Sequence, residues 1–331
     1  MRPGGGGEGI PVHLGIDIGG TKVAMALGSP DGTLHARDRF TTPGLGSAEA
    51  DLARIAERAR ALAASAGIGL DAVGRIGVSV PGPLDAEAGV LLDPPNLVGW
   101  GLAPVRAQLE AALGRPVSLE NDANAAALAE WRFGAGRGAQ DLVYLTMSTG
   151  VGAGVLVGGR LHRGVRTSAG EVGHMPIEWE GEPCACGMRG CLEAYIGGAA
   201  WAARLAETTP PGSAVARLAA ADPGPTPEHV VAGAREGDAF ALAEMARFNH
   251  YLAWGICQLA YVLAPEVVVL GTIPSAAGDR LCLDPVREQV RARLWPFLAR
   301  ALRIEPAGCG DRLGDYAGLA VALDAVAAEP D

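Results

Sequence analysis

Two glycine-rich turns carry hydroxyl side chains and have the composition of phosphate-binding loops. The first is Asp17-Ile18-Gly19-Gly20-Thr21-Lys22, and the second, in the other half of the chain, is Ser148-Thr149-Gly150-Val151-Gly152. Consecutive glycines let backbone N–H groups converge on an anion, threonine adds a hydroxyl, and Asp17 can hold water around Mg²⁺. Two such turns could clamp one polyphosphate. For the first turn a plain hairpin with a solvated aspartate is the alternative, because it matches neither the P-loop nor the dinucleotide pattern.

An Asn-Asp pair stands where a predicted strand becomes a predicted helix. The strand covers 117–120, and the Ala-rich helix after Asn121-Asp122 runs to about Phe133. Asp122 could accept the proton of an attacking hydroxyl while Asn121 orients the alcohol. Phosphoryl transfer passes through a loose transition state, so alignment and electrostatics matter more than base strength. A helix cap is the alternative role for the pair.

One histidine and three cysteines have the spacing of a metal site. They are His174, Cys184, Cys186 and Cys191. One imidazole and three thiolates complete a tetrahedral Zn²⁺ shell with no position left for water, so the predicted metal is structural and pins a loop. A labile disulfide or chance is the alternative, although the Gly-x-x-Gly turn between the last two cysteines suits a tight metal-binding turn.

Two carboxylates flank this predicted zinc loop. Glu171 lies three residues before His174, and Glu193 lies two residues after Cys191. Carboxylates beside a rigid loop are good bidentate acceptors for sugar diols. Solvated surface charges are the alternative.

The elements that position these residues follow from the apolar patterning. Short apolar runs predict strands at 13–18, 23–27, 73–80, 117–120, 142–147, 151–157 and 267–270. Helical patterns alternate with them, which favours α/β layers. Each glycine-threonine turn joins two predicted strands, so the sequence predicts two similar lobes that face one cleft. The last predicted helix covers about 316–327.

The composition argues against several classes of function. The 331 residues carry 27 Lys+Arg against 37 Asp+Glu, a net charge of −10, and no clustered Arg run, so we expect no nucleic-acid partner. Residues 1–11 form a predicted flexible lead-in without a signal segment. The most apolar stretch, 251–264, is too short to span a bilayer. Six unevenly spaced cysteines do not make a disulfide scaffold and indicate a metal in a reducing cytosol, so we expect a cytoplasmic protein. The acidic charge balance favours chemistry on a small molecule.

The motifs together resemble those of the ROK family, the repressor, open-reading-frame and kinase group of the actin/hexokinase superfamily. The resemblance extends from about residue 14 to 328 and rests on DIGGTK, VPGP at 80–83, ENDANAA at 120–126, STGVGAG, GEVGH at 170–174 and CACGMRGCLE. It implies an α/β fold of two ribonuclease-H-like, actin-like ATPase lobes around a central cleft. It also implies ATP and Mg²⁺ in that cleft, a structural zinc, and phosphorylation of a hexose on its 6-hydroxyl.

The resemblance also implies roles for individual residues. Asp122 would be the catalytic base. The implied sugar-binding residues are Gly82, Asn121, Asp122, Glu171, His174 and Glu193. The implied phosphate, nucleotide and Mg²⁺ residues are Asp17, Gly19, Gly20, Thr21, Lys22, Thr149, Gly150 and Gly271. His174 would bind zinc through one ring nitrogen and sugar through the other.

The expected domain organisation is a lobe over 12–118 joined by the C-terminal helix at about 313–329, and a second lobe over 119–312 with the zinc loop at 174–191. Two segments depart from the family pattern, Tyr195 to Gly198, which we expect to be neutral, and a second one that bears on the nucleotide. Residues 268–274 stand where members usually carry further glycines beside the adenosine, and Pro274 removes a backbone donor. The choice between a nucleotide and a polyphosphate donor therefore stays open.

The expected function is ATP-dependent conversion of glucose to glucose 6-phosphate. Phosphorylation of N-acetylmannosamine, N-acetylglucosamine or fructose is the alternative, because one sequence does not resolve the contacts at the 2-position. A repressor would need an N-terminal helix-turn-helix, and the first predicted strand begins by about residue 12, which leaves no room for one. A non-catalytic sugar-binding regulator is disfavoured because Asp122 and both turns are intact. The family implies a homodimer or homotetramer.

Overall fold

The computed structural model describes residues 11–328, so residues 1–10 of the predicted lead-in lie outside the described part. The strands are β1 (Val12–Ile18), β2 (Lys22–Gly28), β3 (Leu34–Thr41), β4 (Val73–Val80), β5 (Leu84–Asp85), β6 (Val90–Leu91), β7 (Val117–Asn121), β8 (Leu142–Met147), β9 (Val151–Val157), β10 (Arg160–Leu161), β11 (Val267–Leu270) and β12 (Arg303–Pro306). The helices are α1 (Ala48–Ser65), α2 (Val105–Leu113), α3 (Asp122–Phe133), α4 (Glu193–Ile196), α5 (Gly198–Thr208), α6 (Ala214–Leu218), α7 (Pro227–Arg235), α8 (Ala239–Leu263), α9 (Thr272–Gly278), α10 (Asp284–Arg293), α11 (Pro296–Ala301) and α12 (Leu313–Ala327).

The described residues divide into two compact units. Unit 1 contains residues 11–133, 163–168 and 309–328, and unit 2 contains residues 134–162 and 169–308. In this division α3 belongs to unit 1, where it packs against α12, although the sequence placed it beyond a lobe boundary at 118.

Unit 1 is built on a five-stranded mixed sheet in the order β3-β2-β1-β4-β7. β1, β2 and β3 pair antiparallel, whereas β4 and β7 continue the sheet parallel to β1. Apolar side chains of the sheet, α1 and α2 form one buried core. Because β1 and β7 run parallel to β4, the ends of β1 and β7, which carry Asp17 and Asn121, lie at the same edge of the sheet.

α12 lies unusually close to this sheet because three glycines meet at the contact. A Cβ on Gly15 would lie 2.3 Å from the backbone nitrogen of Leu319, and a Cβ on Gly77 would lie 2.1 Å from the backbone oxygen of Gly318. Gly318 itself has no room for a Cβ, which would lie 2.3 Å from the nitrogen of Ile16. This close approach brings the start of α12 beside Asp17.

Unit 2 repeats the same architecture on a sheet in the order β10-β9-β8-β11-β12. β8, β9 and β10 pair antiparallel, and β11 and β12 run parallel to β8. A second core surrounds α8, whose long apolar face packs with α7 and α10. The prediction of two similar α/β units is therefore confirmed.

Each strand predicted from the sequence is present, and both predicted hairpins form. β5, β6, β10 and β12 were not predicted, and neither was β3. Its side chains alternate between half-buried and exposed, and its sequence, LHARDRFT, is too charged to resemble a core strand. Within residues 11–328, no helix combines the length and apolarity needed to cross a bilayer.

Candidate functional site

The first glycine turn of unit 1 is a tight, internally bonded loop. The Gly19 N–H donates to the Lys22 carbonyl at 2.8 Å, and the Thr42 hydroxyl donates to the Gly19 carbonyl at 2.6 Å. Gly20 has no room for a side chain, because a Cβ would lie 2.6 Å from the backbone oxygen of Asn96. The neighbouring loop therefore requires glycine at position 20.

Asp17 lies at the end of β1, where burial disfavours its charged form. The Ser79 hydroxyl donates to its Oδ1 at 2.6 Å. Burial raises the pKa of Asp17 from 3.8 to about 6, and the Asp122 and Asp315 carboxylates act in the same direction, whereas Ser79 and Lys22 oppose the shift. A carboxylate held among other carboxylates gains from a nearby cation, so these residues fit a hydrated Mg²⁺.

Replacing Asp17 by Asn should stabilise the ligand-free protein at pH 8. Ionisation of Asp17 is costly in the folded state, and a pKa shift from 3.8 to about 6, reduced for partial exposure, corresponds to about 2 kcal/mol. The cost is complete above the folded pKa. It decreases as the pH falls and disappears below 3.8, where the carboxyl is protonated in both states.

Melting temperatures of both proteins at pH 8 and pH 4 test this expectation. The Asp17→Asn protein should melt several degrees higher at pH 8 and show little advantage at pH 4. An equal gain at both pH values would assign the effect to packing. Asp31→Asn is the control, because hydrogen bonds from Thr33 lower the pKa of Asp31, and its neutralisation should bring no gain.

Asn121 and Asp122 form the junction between β7 and α3. The Asn121 Oδ1 accepts the Ala123 N–H at 2.9 Å, so Asn121 caps the helix as the alternative interpretation predicted. Its Nδ2 lies 3.1 Å from the place where a Cβ on Gly82 would stand, so Gly82 and the Asn121 amide are neighbours. Asp122 is exposed and accepts the Ala123 N–H at 2.8 Å. The cap thus fixes the Asn121 amide, and Asp122 stays open to solvent.

An ion pair between a buried glutamate and an exposed arginine beneath this junction was not predicted from the sequence. Glu120 is 1% exposed and accepts the Asn121 N–H at 3.0 Å and the Asn124 amide at 2.9 Å. Its other oxygen lies 2.7 Å from Arg163 Nε. Glu120 stands inside the ENDANAA motif, but its partner is 43 residues away along the chain.

The second glycine turn, in unit 2, is bonded on both sides. The Ser148 N–H donates to the Gly150 carbonyl at 3.0 Å, and the first N–H groups of α5, at Gly198 and Ala199, donate to the Ser148 and Thr149 carbonyls at 2.8 and 2.9 Å. The Glu193 Oε2 accepts the Val151 N–H at 2.8 Å, and a Cβ on Gly150 would lie 2.4 Å from it. The structure thus brings Glu193 against the turn.

A pocket of about 940 Å³ opens beside this turn within unit 2. The residues that line it include Ser148, Thr149, Gly198, Thr272 and Ile273, together with Glu228 and Arg235 of α7. The volume lies within the range of about 300 to 1,000 Å³ that small-molecule pockets have. Gly271 directly precedes Thr272, and it has no room for a side chain because a Cβ would lie 2.3 Å from the Tyr144 hydroxyl.

Glu171 precedes a single 3₁₀ turn over Val172–His174, and the His174 N–H at the end of this turn donates to the Glu171 carbonyl at 3.1 Å. Glu171 is exposed. A Cβ on Gly173 would lie 2.4 Å from the Val151 carbonyl, so this turn packs on the start of β9. Glu171, His174 and Glu193 therefore lie around one strand end in unit 2.

The four predicted metal ligands converge. Their ligand atoms all lie within 4.8 Å of one another. The Sγ atoms of Cys186 and Cys191 are 3.7 Å apart, and Cys184 Sγ lies 3.7 Å from His174 Nδ1. Tetrahedral zinc with bonds of about 2.3 Å to sulfur separates two sulfurs by about 3.8 Å, whereas a disulfide requires about 2.05 Å. The donor set fits Zn²⁺. His174 would bind the metal through Nδ1, which faces Cys184 Sγ, and its Nε2 would remain available to a second ligand.

Two mixed α/β units of the same topology, each with a glycine-threonine turn between its first strands, define an actin- and hexokinase-like fold. The chain belongs to the ROK family, whose match covers residues 13–324. It is 32% identical over 329 residues to a glucokinase from Streptomyces coelicolor. The aligned region covers 96% of this chain and 98% of that protein.

Solved structures agree with this assignment. A ROK hexokinase from Thermus thermophilus is similar with a TM-score of 0.81 and 33% identity, over 96% of this chain and 100% of that one. A ROK family glucokinase from Streptomyces griseus in complex with glucose and AMPPNP has a TM-score of 0.77 and 32% identity, over 94% of this chain and 99% of that one.

Proposed function

We propose that the protein transfers the terminal phosphoryl group of ATP to the 6-hydroxyl of a hexose, with glucose as the preferred acceptor. The observation that carries the proposal is the similarity, along nearly the whole chain, to a glucokinase solved with glucose and AMPPNP. The arrangement of chemical groups within each unit supports it.

In unit 1 we assign the acceptor chemistry to the junction of β7 and α3. The Asp122 carboxylate accepts the proton of the sugar hydroxyl as that oxygen bonds to the terminal phosphorus and the bond from phosphorus to the leaving ADP oxygen breaks. The Asn121 amide, fixed by its cap bond to Ala123, donates to a sugar hydroxyl. Gly82 leaves space beside that amide.

In unit 2 we assign the donor's nucleoside to the pocket and the phosphates to the turn at 148–150. We assign the remaining sugar contacts to Glu171, His174 through Nε2, and Glu193. Zn²⁺ held by His174, Cys184, Cys186 and Cys191 would fix the histidine ring, and Mg²⁺ held through water by Asp17 would neutralise phosphate charge. Gly19, Gly20, Thr21 and Lys22 complete the proposed phosphate-binding set.

The acceptor and donor are tested together by a matrix of purified protein against substrates. Glucose, mannose, fructose, N-acetylglucosamine and N-acetylmannosamine are each combined with ATP, GTP and a polyphosphate, and sugar phosphate is quantified. We expect glucose with ATP to give the highest kcat/KM. The absence of turnover with every hexose would contradict the proposal, and a higher kcat/KM with an N-acetylated sugar would change the acceptor only.

The assembly state and the cellular location are separate questions. A homodimer or homotetramer and a cytoplasmic location stay predictions from the family resemblance. Light scattering of the purified protein measures the first directly.

A further inference from the structure

Thr272 has a backbone conformation that a branched residue rarely adopts. It directly follows β11 and Gly271, and its φ is 48°, in the left-handed region that favours glycine. Its side chain is exposed and borders the pocket of unit 2. A strained backbone conformation persists only where surrounding contacts hold it, and such residues cluster at functional sites. The contacts of Thr272 therefore indicate its role.

The Thr272 hydroxyl is bonded twice to one residue of the neighbouring strand. Its Oγ1 donates to the Met147 carbonyl at 2.6 Å and accepts the Met147 N–H at 2.9 Å. The backbone ladder between β8 and β11 ends one step earlier, where the Gly271 N–H donates to the Leu145 carbonyl at 2.8 Å. The Thr272 side chain therefore supplies the hydrogen bonds to β8 that the backbone no longer makes beyond Gly271.

Met147 is the last residue of β8, and the glycine turn begins at Ser148. The far side of that turn is held by α5, whose Gly198 N–H donates to the Ser148 carbonyl at 2.8 Å. The two Thr272 bonds hold the other side of the turn, at Met147, where β8 ends beside the pocket. Without the hydroxyl, both polar backbone groups of Met147 lose the partner that orients this strand end.

We propose that Thr272 is a positioning residue for the phosphates of the nucleotide, because its hydroxyl clamps the end of β8 and thereby fixes the Ser148–Gly150 turn. This inference rests on the proposed function, since it takes the pocket and turn to hold ATP and ADP. The hydroxyl, rather than the bulk of the side chain, carries the effect. The strained φ is the conformation that brings the hydroxyl to Met147.

The test compares three substitutions by ADP titration calorimetry and steady-state kinetics. Thr272→Val keeps the shape and removes the hydroxyl, and we expect about a tenfold weaker ADP Kd and a similar rise in the KM for ATP, with the KM for glucose within about twofold. Thr272→Ser keeps the hydroxyl and should restore both values. Thr272→Gly relieves the strain without the hydroxyl and should bind ADP as weakly as the valine variant.

Thr209→Val is the matched control, because it removes a hydroxyl bonded to a backbone carbonyl at 2.7 Å, that of Leu205, at the end of α5 and outside the pocket wall. It should leave the ADP Kd unchanged. Equal ADP binding by the wild type and the Thr272→Val protein would overturn the inference and leave the proposed function intact. A serine variant as weak as the valine variant would also overturn it. A wild type that neither binds ADP nor phosphorylates a hexose would overturn both.

Discussion

Replacing Asp122 by Asn should lower kcat by about 10³-fold and leave the Kd for glucose within about threefold. General-base catalysis contributes on the order of 10²- to 10⁴-fold, and the amide cannot accept the proton of the sugar hydroxyl. The substitution preserves shape, and an asparagine oxygen still accepts the Ala123 N–H that Asp122 accepts at 2.8 Å. The start of α3 should therefore stay intact while the chemical step fails.

Steady-state kinetics together with glucose titration calorimetry separate these two effects. Asp238→Asn is the matched control, because Asp238 also begins a helix and accepts the Ala241 N–H at 2.8 Å, at the start of α8. It should leave kcat unchanged. If the Asp122→Asn protein retains kcat within tenfold, Asp122 only supports the helix, and the base must be sought elsewhere.

Replacing Cys191 by Ser should remove bound zinc and raise the KM for the hexose by about 10- to 100-fold, the range found when the groups that orient a functional histidine are lost. Cys191 is completely buried, and burial raises the pKa of its thiol to about 12, so a metal must supply the stabilisation of the thiolate. Without the metal, nothing fixes the ring of His174 through Nδ1.

Metal analysis of the purified protein, the glucose KM and the ADP Kd form the measurement. We expect about one zinc per wild-type chain, almost none in the variant, and an ADP Kd that changes little because the pocket lies elsewhere in unit 2. Cys309→Ser is the control, since Cys309 is also buried but lies outside the cluster. A wild type that contains no zinc and is insensitive to chelators would contradict the structural-metal assignment.

Local features of the fold and site could be predicted because their causes lie close together in the sequence. Two apolar runs on either side of a glycine pair predict the hairpin around Gly19 and Gly20. The metal cluster is predictable because three of its ligands fall within eight residues, and the fourth, His174, precedes them by ten. The cap by Asn121 follows from a strand that runs directly into a helix.

Features that depend on distant partners were not accessible from the sequence. No pattern in the sequence indicates that the fold places Arg163 against Glu120. The left-handed φ of Thr272 contradicts its local preference, and only the bonds to Met147, far away in sequence, explain it. The grouping of α3 with unit 1 depends on its packing against α12, which the sequence pattern of neither helix reveals.

The contact of Gly15, Gly77 and Gly318 has a consequence for biosynthesis. Unit 2 is complete once residue 308 has been made, whereas the sheet of unit 1, whose strands all precede residue 122, waits for α12 to cover Gly15 and Gly77. During translation the strands of unit 1 are therefore made first, but α12 covers their sheet last. In the interval the face of this sheet that α12 will cover is open to contact with other chains. A released chain truncated after residue 312, which contains all of unit 2 but lacks α12, should resist protease over residues 134–308 while its earlier residues are cleaved.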